Sequence, residues 1–439
     1  MFRSEGFQKY LRNTAWLFTD RVVRLGSVLV SSIFVTRYLG PELFGKLNYA
    51  SAFVGIFYAL TSMGPDEIIG RDLVRHPERR DQLLGTGAVL KFGGSVILLI
   101  VVLALALIKG LDNLTLWMIL LVAFAEWLKP LMVIDPYFNS QVRGRMVATY
   151  NMAQAVVSLV FKLVLVLVGA PLIWFAAAYL VEMLALTGGA VIAYRSDGLR
   201  VRNWRYDKAT AVELLQQSWP MIVFGLALYV QAKIDQVMIG DLLRGHVGEH
   251  AADAEMGQYS AALKMIESLG FLPGVVAASL APAITRARAQ SHELYVDRLV
   301  NQYRLMFILF LVTSIPLYFL AQPFMVLLFG EEFRQAGVLL SLFAIRLFFT
   351  NMGLPKAAFI TNESLFRYSL ITSVTGAALN IGLNYFLIPE YKSEGAIWAM
   401  IISFLVSGIL MDLFFVKARP NFGWMMTGVT TFWKVNRAA

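Results

Sequence analysis

Residues 146–193 read MVATYNMAQAVVSLVFKLVLVLVGAPLIWFAAAYLVEMLALTGGAVIA. Two apolar runs, 146–168 and 172–193, are separated only by Gly169-Ala170-Pro171. Each has about the twenty residues that an α-helix rising ~1.5 Å per residue needs to cross a hydrocarbon layer. The three-residue link leaves no room for a folded domain, so the pair reads as a transmembrane hairpin. Working outward, runs of similar length occupy 14–36, 43–63, 83–108, 114–134, 216–239, 257–282, 303–329, 337–359, 368–388 and 395–416. Twelve spans joined by short connections predict an all-α integral membrane protein whose work is done within the bilayer.

Composition agrees. Of 439 residues 58% are hydrophobic and 15% charged, and mean hydropathy is +0.64. A soluble domain carries roughly 25% charged residues, and disordered chains are less apolar still. A net charge of +9 on such a chain reflects topology and headgroup contact rather than nucleic-acid binding. There is no cysteine, so disulfides, thiolate metal sites and cysteine nucleophiles are excluded. The polar, basic stretch Met1–Asn13 is followed by an apolar run containing Asp20, Arg21 and Arg24 without a small-residue cleavage site, unlike a removable signal peptide.

Cytoplasmic connections retain Lys and Arg. Alternate connections, starting with the N-terminus, hold 22 of them, whereas the opposite set holds six: Arg37, Lys46, Lys109, Arg244, Arg334 and Lys392. Twelve spans with both termini cytoplasmic satisfy this bias, and omitting one span would scramble it for every later connection.

The chain also repeats itself. Gly45-Lys46-Leu47-Asn48-Tyr49-Ala50-Ser51-Ala52 at the second span parallels Gly257-Gln258-Tyr259-Ser260-Ala261-Ala262 at the eighth, with Tyr49 and Tyr259 offset by 210. Arg145 and Arg367 open spans five and eleven at an offset of 222, and Trp174 and Trp398 in spans six and twelve are offset by 224. A near-constant offset predicts duplication into six-span halves that enter from the same side, as parallel repeats. The expected organisation is an N-terminal half with linker over 1–212, a C-terminal half over 213–416, and a cytoplasmic tail over 417–439, interfacial or disordered.

A charge at mid-bilayer costs roughly 2.5–3.5 kcal/mol even on lenient scales and normally faces a bundle interior or a wet cavity. By residue count, Arg24 lies about 15 Å into its span, Lys264 about 11 Å and Arg346 about 14 Å. These three are the candidate anion-binding residues, with Arg21 beside them. Arg21, Lys162, Lys233, Arg304 and Lys356 lie nearer span ends and are expected to snorkel to the headgroups. Asp20 and Arg24 (i, i+4), Glu126 and Lys129 (i, i+3), and Lys264 and Glu267 (i, i+3) each share a helix face. Such pairs either hold helices together or exchange partners when H⁺ or Na⁺ binds, which makes Asp20, Glu126 and Glu267 ion-coupling candidates. Asp235 has no charged partner on its own face and is the leading candidate of this kind.

No soluble catalytic motif is present. His246 and His250 are four apart in a short acidic connection, without a metalloprotease pattern, and Gly85-Thr86-Gly87 lacks the lysine of a phosphate-binding loop and reads as a helix-packing element. No cofactor and no metal are expected. Pro220, Gly270-Phe271-Leu272-Pro273-Gly274, Pro316 and Pro355 interrupt spans, as suits a transporter whose helices bend.

The tract Ala232-Lys233-Ile234-Asp235-Gln236-Val237-Met238-Ile239-Gly240-Asp241-Leu242-Leu243, followed by Met256 to Ala262 and ending at Ala281-Pro282, resembles the start of the second half in polysaccharide-unit (O-antigen or capsule repeat) flippases of the Wzx type. Those proteins belong to the MOP exporter superfamily, which includes the MATE transporters. Arg37-Tyr38-Leu39-Gly40-Pro41-Glu42-Leu43-Phe44-Gly45 resembles that family's link between its first two spans, and Gly70-Arg71-Asp72 its first cytoplasmic loop. The likeness covers nearly the whole chain. It implies two six-helix lobes forming a V around a cationic cavity that opens alternately to each side. It also implies the cargo, an oligosaccharide joined through pyrophosphate to undecaprenol, moved across a bacterial inner membrane. Only Asp235 matches a recurring acid of the family. The implied partners are this lipid-linked oligosaccharide, membrane lipids, a coupling H⁺ or Na⁺ and glycan-assembly proteins, with no nucleic acid. Two other readings stand beside it: a MATE-type multidrug or cation antiporter, for which a more acidic cavity is expected, and a membrane-embedded glycan polymerase or ligase, for which a large outward loop is expected.

Overall fold

A computed structural model describes residues 5–62 and 66–435. Arg3 and Arg437, which contribute to the charge bias, lie outside the described residues. Helices account for nearly all the rest, and among the described residues there is no strand. Among the described residues ten helices are long and apolar enough to cross a membrane. Two of the ten are each broken once: Glu5–Gly55 at Gly40 (φ 67°, ψ 175°) and the helix starting at Phe366 at Lys392 (φ 51°, ψ −133°). Each break separates two of the spans read from the sequence, so the ten helices supply the twelve spans, and the protein is a multi-pass all-α membrane protein.

The breaks follow from local chemistry. Gly40 takes a left-handed conformation that suits glycine, and Pro41 next to it has no N–H to continue the ladder. At the second break Lys392 itself adopts positive φ, and Gly395 lies so close to the Leu387 carbonyl that any side chain there would collide with it.

The chain forms two compact units. The first comprises Met1–Leu39 and Lys46–Ile234; the second comprises Gly40–Gly45 and Asp235–Ala439. The division between Ile234 and Asp235 falls inside the continuous helix Lys208–Val247, whose first turns also contain the repeat-based boundary at 212/213.

In the first unit a cluster of Ile69, Leu84, Val133, Phe138, Tyr150 and Tyr194 is almost wholly buried. Gly85-Thr86-Gly87 does pack there: Gly85 abuts the backbone of Arg205, Gly87 abuts Ile69, and the Thr86 hydroxyl accepts the Asp207 N–H at 3.0 Å. In the second unit Tyr295, Tyr303, Met306, Phe359 and Met425 form the equivalent cluster. Its last member belongs to the helix Arg419–Thr430, where Asn421, Met425 and Gly428 are buried and Gly428 is pressed against Tyr303. This part of the tail is a packed element of the second unit, because its glycine allows close approach and its asparagine finds buried partners.

Residues related by the repeat share environments: Tyr49 and Tyr259 are fully buried, while Trp174 and Trp398 are exposed. Many large apolar side chains, among them Leu167, Phe319 and Phe386, are also exposed, as lipid-facing helices require.

Candidate functional site

The first unit places its deep charges in pairs. Asp20 is buried, and its Oδ1 lies 3.1 Å from Arg24 Nε, while the Arg24 side chain remains 46% exposed. The expected i, i+4 pair therefore forms, yet leaves the guanidinium accessible on one side. Arg21, one residue after Asp20, is also exposed.

Glu126 is buried in a stretch where the helix tightens to 3₁₀ geometry over Glu126–Val133, with Pro130 inside it. Its Oε2 accepts from Thr61 at 2.7 Å and from Lys129 at 2.9 Å, and its carbonyl accepts from Ser95 at 3.0 Å. Lys129 also sits 4.7 Å from the centre of the Tyr58 ring. On the hairpin 146–193, Lys162 pairs with Glu182 at 2.5 Å, and Ser158 donates to the same carboxylate at 2.6 Å. Tyr58, Glu126, Lys129, Gln154, Tyr179 and Glu182 line a cavity of ≈ 180 Å³ within this unit. Two carboxylates face it, and each already holds a lysine.

The second unit treats its deep charges differently. Asp235 is 1% exposed and is held by neutral donors: Asn384 Nδ2 at 2.6 Å and the Tyr259 hydroxyl at 2.9 Å. Asn380 stands one turn from Asn384, with 3.4 Å between Asn384 Nδ2 and Asn380 Oδ1. Arg346 acts on this carboxylate through space. Its own Nε and Nη1 are buried with no hydrogen-bond partner among the described residues, and the guanidinium lies 5.9 Å from the centre of the Phe404 ring. Asn380 Nδ2 and Asn384 Oδ1 are likewise buried and unsatisfied. Unsatisfied buried polar atoms gathered in one place ordinarily mark ordered water, an ion or a ligand. Lys264 is half-buried with its ammonium 5.7 Å from the centre of the Phe44 ring, and Glu267, one turn on, is exposed.

Two snorkelling expectations are corrected. Lys162 turns inward to Glu182, and Lys356 is only 7% exposed. Its ammonium binds Asp412 at 2.6 Å, the Tyr368 hydroxyl at 3.0 Å and the Gly408 carbonyl at 2.6 Å. That carbonyl is available because Val406–Leu410 is wound as a π-helix, which redirects backbone oxygens from the α ladder. Tyr368 also donates to Asp412, Asn421 Nδ2 donates to its second oxygen at 2.8 Å, and Tyr303 donates to Asn421 at 2.9 Å. A carboxylate across a helix interface outcompetes a long reach to water. For Lys162 the sequence offered a signal: it lies eight residues before Ala170 and Glu182 twelve after, so the two differ in depth along one hairpin by about 6 Å, which a long lysine side chain can span.

In sequence, no curated protein matches the chain. Several solved structures match nearly its full length. A multidrug-resistance MATE family transporter of the MOP superfamily is similar in its inward-facing conformation (TM-score 0.64, 16% identity, 95% of this chain and 99% of that one). An outward-facing structure of such a transporter matches with a TM-score of 0.60, 16% identity and coverage of 97% and 96%. The lipid II flippase MurJ, in an inward-closed conformation, matches with a TM-score of 0.55, 12% identity and coverage of 96% and 92%. At these identities the likeness establishes the fold. The family described as polysaccharide biosynthesis protein matches residues 10–279, more than half the chain. With its twelve spans and its MOP-type fold, this membrane protein belongs to that polysaccharide biosynthesis family.

Proposed function

We propose that the protein carries an oligosaccharide linked through pyrophosphate to undecaprenol from the inner to the outer leaflet of a bacterial inner membrane, by alternating access coupled to H⁺ or Na⁺. The polyprenyl tail stays in lipid, and the anionic head needs cations held away from water. Arg346 carries this reading: a guanidinium whose Nε and Nη1 are buried without acceptors among the described residues is poised for phosphate oxygens, which match its planar fork. Arg24, half-exposed beside Asp20, would serve in the first unit, with Lys264 and Arg21 as further contacts. Asp235, held by an amide and a hydroxyl, is suited to gain and lose a cation, with Asp20, Glu126 and Glu267 as secondary candidates.

The MATE-type reading is weaker on the same grounds, since each carboxylate lining the first unit's cavity already holds a lysine. The test is movement of a labelled lipid-linked oligosaccharide in vesicles containing only this protein. Arg346→Ala should slow it at least about tenfold, the equivalent of one lost charge-assisted contact, and Arg346→Lys should restore part of the rate. Full activity in both Arg346→Ala and Arg24→Ala would remove the site assignment, and new glycosidic bonds without movement would indicate an enzyme.

A further inference from the structure

We propose a second anion site, independent of the cargo: the connection following the hairpin 146–193 binds the phosphate headgroup of an anionic phospholipid. Arg195, Arg200 and Arg202, with Gly198, Leu199 and Val201, line a hollow of ≈ 430 Å³. Among the described residues none of the three guanidinium groups makes a hydrogen bond or an ion pair.

The connection is a built element. Gly198 turns the chain at φ 77°, and Val201–Asn203 forms a 3₁₀ turn. Leu199, Val201 and Trp204 pack onto the buried cluster of the first unit, Trp204 Nε1 donates to the Tyr194 hydroxyl at 3.2 Å, and the Arg205 N–H donates to the Asp81 carbonyl at 3.0 Å.

Nearby acids do not answer the arginines. Asp197 is engaged on both oxygens, by Arg143 on one and by Tyr137 at 3.0 Å on the other. Asp207 accepts from both the N–H and the hydroxyl of Thr210. Three like charges gathered around one hollow repel each other unless an anion joins them. Three planar guanidinium forks suit phosphate oxygens.

Position selects the source of that phosphate. Arg195 lies in the last turn of the span Leu172–Ser196, and Ile192, three residues earlier on the same helix face, is 69% exposed and apolar. The hollow therefore adjoins the acyl region on the side to which the positive charge bias assigns the cytoplasm. Basic pockets at that level recruit anionic headgroups.

Native mass spectrometry of the full chain in detergent tests this, with phosphatidylglycerol or cardiolipin titrated against phosphatidylethanolamine. The wild type should retain the anionic lipid in preference. Arg195→Ala/Arg200→Ala/Arg202→Ala should reduce that retention about tenfold or more. Arg75→Ala/Arg367→Ala/Lys417→Ala, which removes the same charge elsewhere, should not, and the single variant Arg200→Glu should reproduce most of the loss. Equal retention in the wild type and the triple arginine variant overturns the site, and so does an equal loss in the control variant. Displacement of the lipid by millimolar inorganic pyrophosphate, with no preference among lipids, overturns the headgroup as occupant and points to a free phosphate.

Discussion

The two units differ in how they hold the deep charges singled out above. In the first, Asp20, Glu126 and Glu182 each meet a basic side chain directly, two of these pairs at the wall of a cavity. In the second, Asp235 is held by an asparagine and a tyrosine, Arg346 keeps two nitrogens unmatched among the described residues, and a tight pair, Lys356 with Asp412, is sealed beneath the helix Arg419–Thr430. A charge locked to its opposite stabilises helices but is slow to accept anything else. One held by neutral dipoles keeps part of its field for a ligand. The second unit thus separates a sealed pair from charges held by neutral groups, whereas in the first unit Arg24 is both paired and half-exposed.

Four experiments probe this contrast. Lys356→Ala should be the most damaging to stability, about 3–5 kcal/mol, because it leaves Asp412 charged and sealed. Lys356→Met with Asp412→Leu should recover most of that loss in thermal unfolding of the purified protein. Lys162→Ala should cost less, about 1–3 kcal/mol, because Glu182 keeps its bond from Ser158 and faces a cavity that admits water. If the two lysine variants lose equally, the contrast between sealed and cavity-lining pairs fails. Asp235→Asn should change stability by only about 1 kcal/mol, since its one carbonyl oxygen can still accept from Asn384 and its Nδ2 donates to the Tyr259 hydroxyl, which can turn to accept, while abolishing ion-driven transport. A variant that still moves cargo uphill would return Asp235 to a packing role.

The smallest effect concerns pH outside the membrane. Burial works to raise Asp197, but hydrogen bonds from Arg143 and Tyr137 outweigh it and hold the carboxyl below its ordinary value. Asp207 is lowered by the N–H and hydroxyl of Thr210. Both are therefore depressed on folding, so their contribution is fully present above the ordinary carboxylate range near pH 4 and is lost as pH falls through their folded values. Hydrogen exchange over 195–210 should rise below about pH 4 while the buried cluster of the second unit stays protected, and an unchanged profile would show that these carboxylates do not fasten the connection.

What was legible in the sequence was whatever is local along the chain. Gly169-Ala170-Pro171 marks a hairpin, the alternating Lys and Arg content fixes the parity of the spans, and the spacing of Asp20 and Arg24 predicts their pairing. The cost of burying a charge singled out Arg346 and Asp235 without their surroundings. Those surroundings are assembled across distance: Asn384 reaches Asp235 from 149 residues away, and Asp412 reaches Lys356 from 56. Spacing on one helix face carries no information about such meetings. The π-helix that offers Lys356 its carbonyl is also silent in sequence, because it depends on how the turn winds rather than on which residues compose it.

Six residues near the beginning of the chain, Gly40–Gly45, belong to the second unit. There Gly45 is set against the Asp253 carbonyl and Gly257 against that of Pro41, so closely that alanine at either would collide with backbone. The two glycines are thus each other's close neighbours. The two units therefore cannot be separated by a single cut of the chain. A ribosome releases the early piece some two hundred residues before its destination exists, and a gene split after Ile234 would send the later product into the bilayer without its keystone.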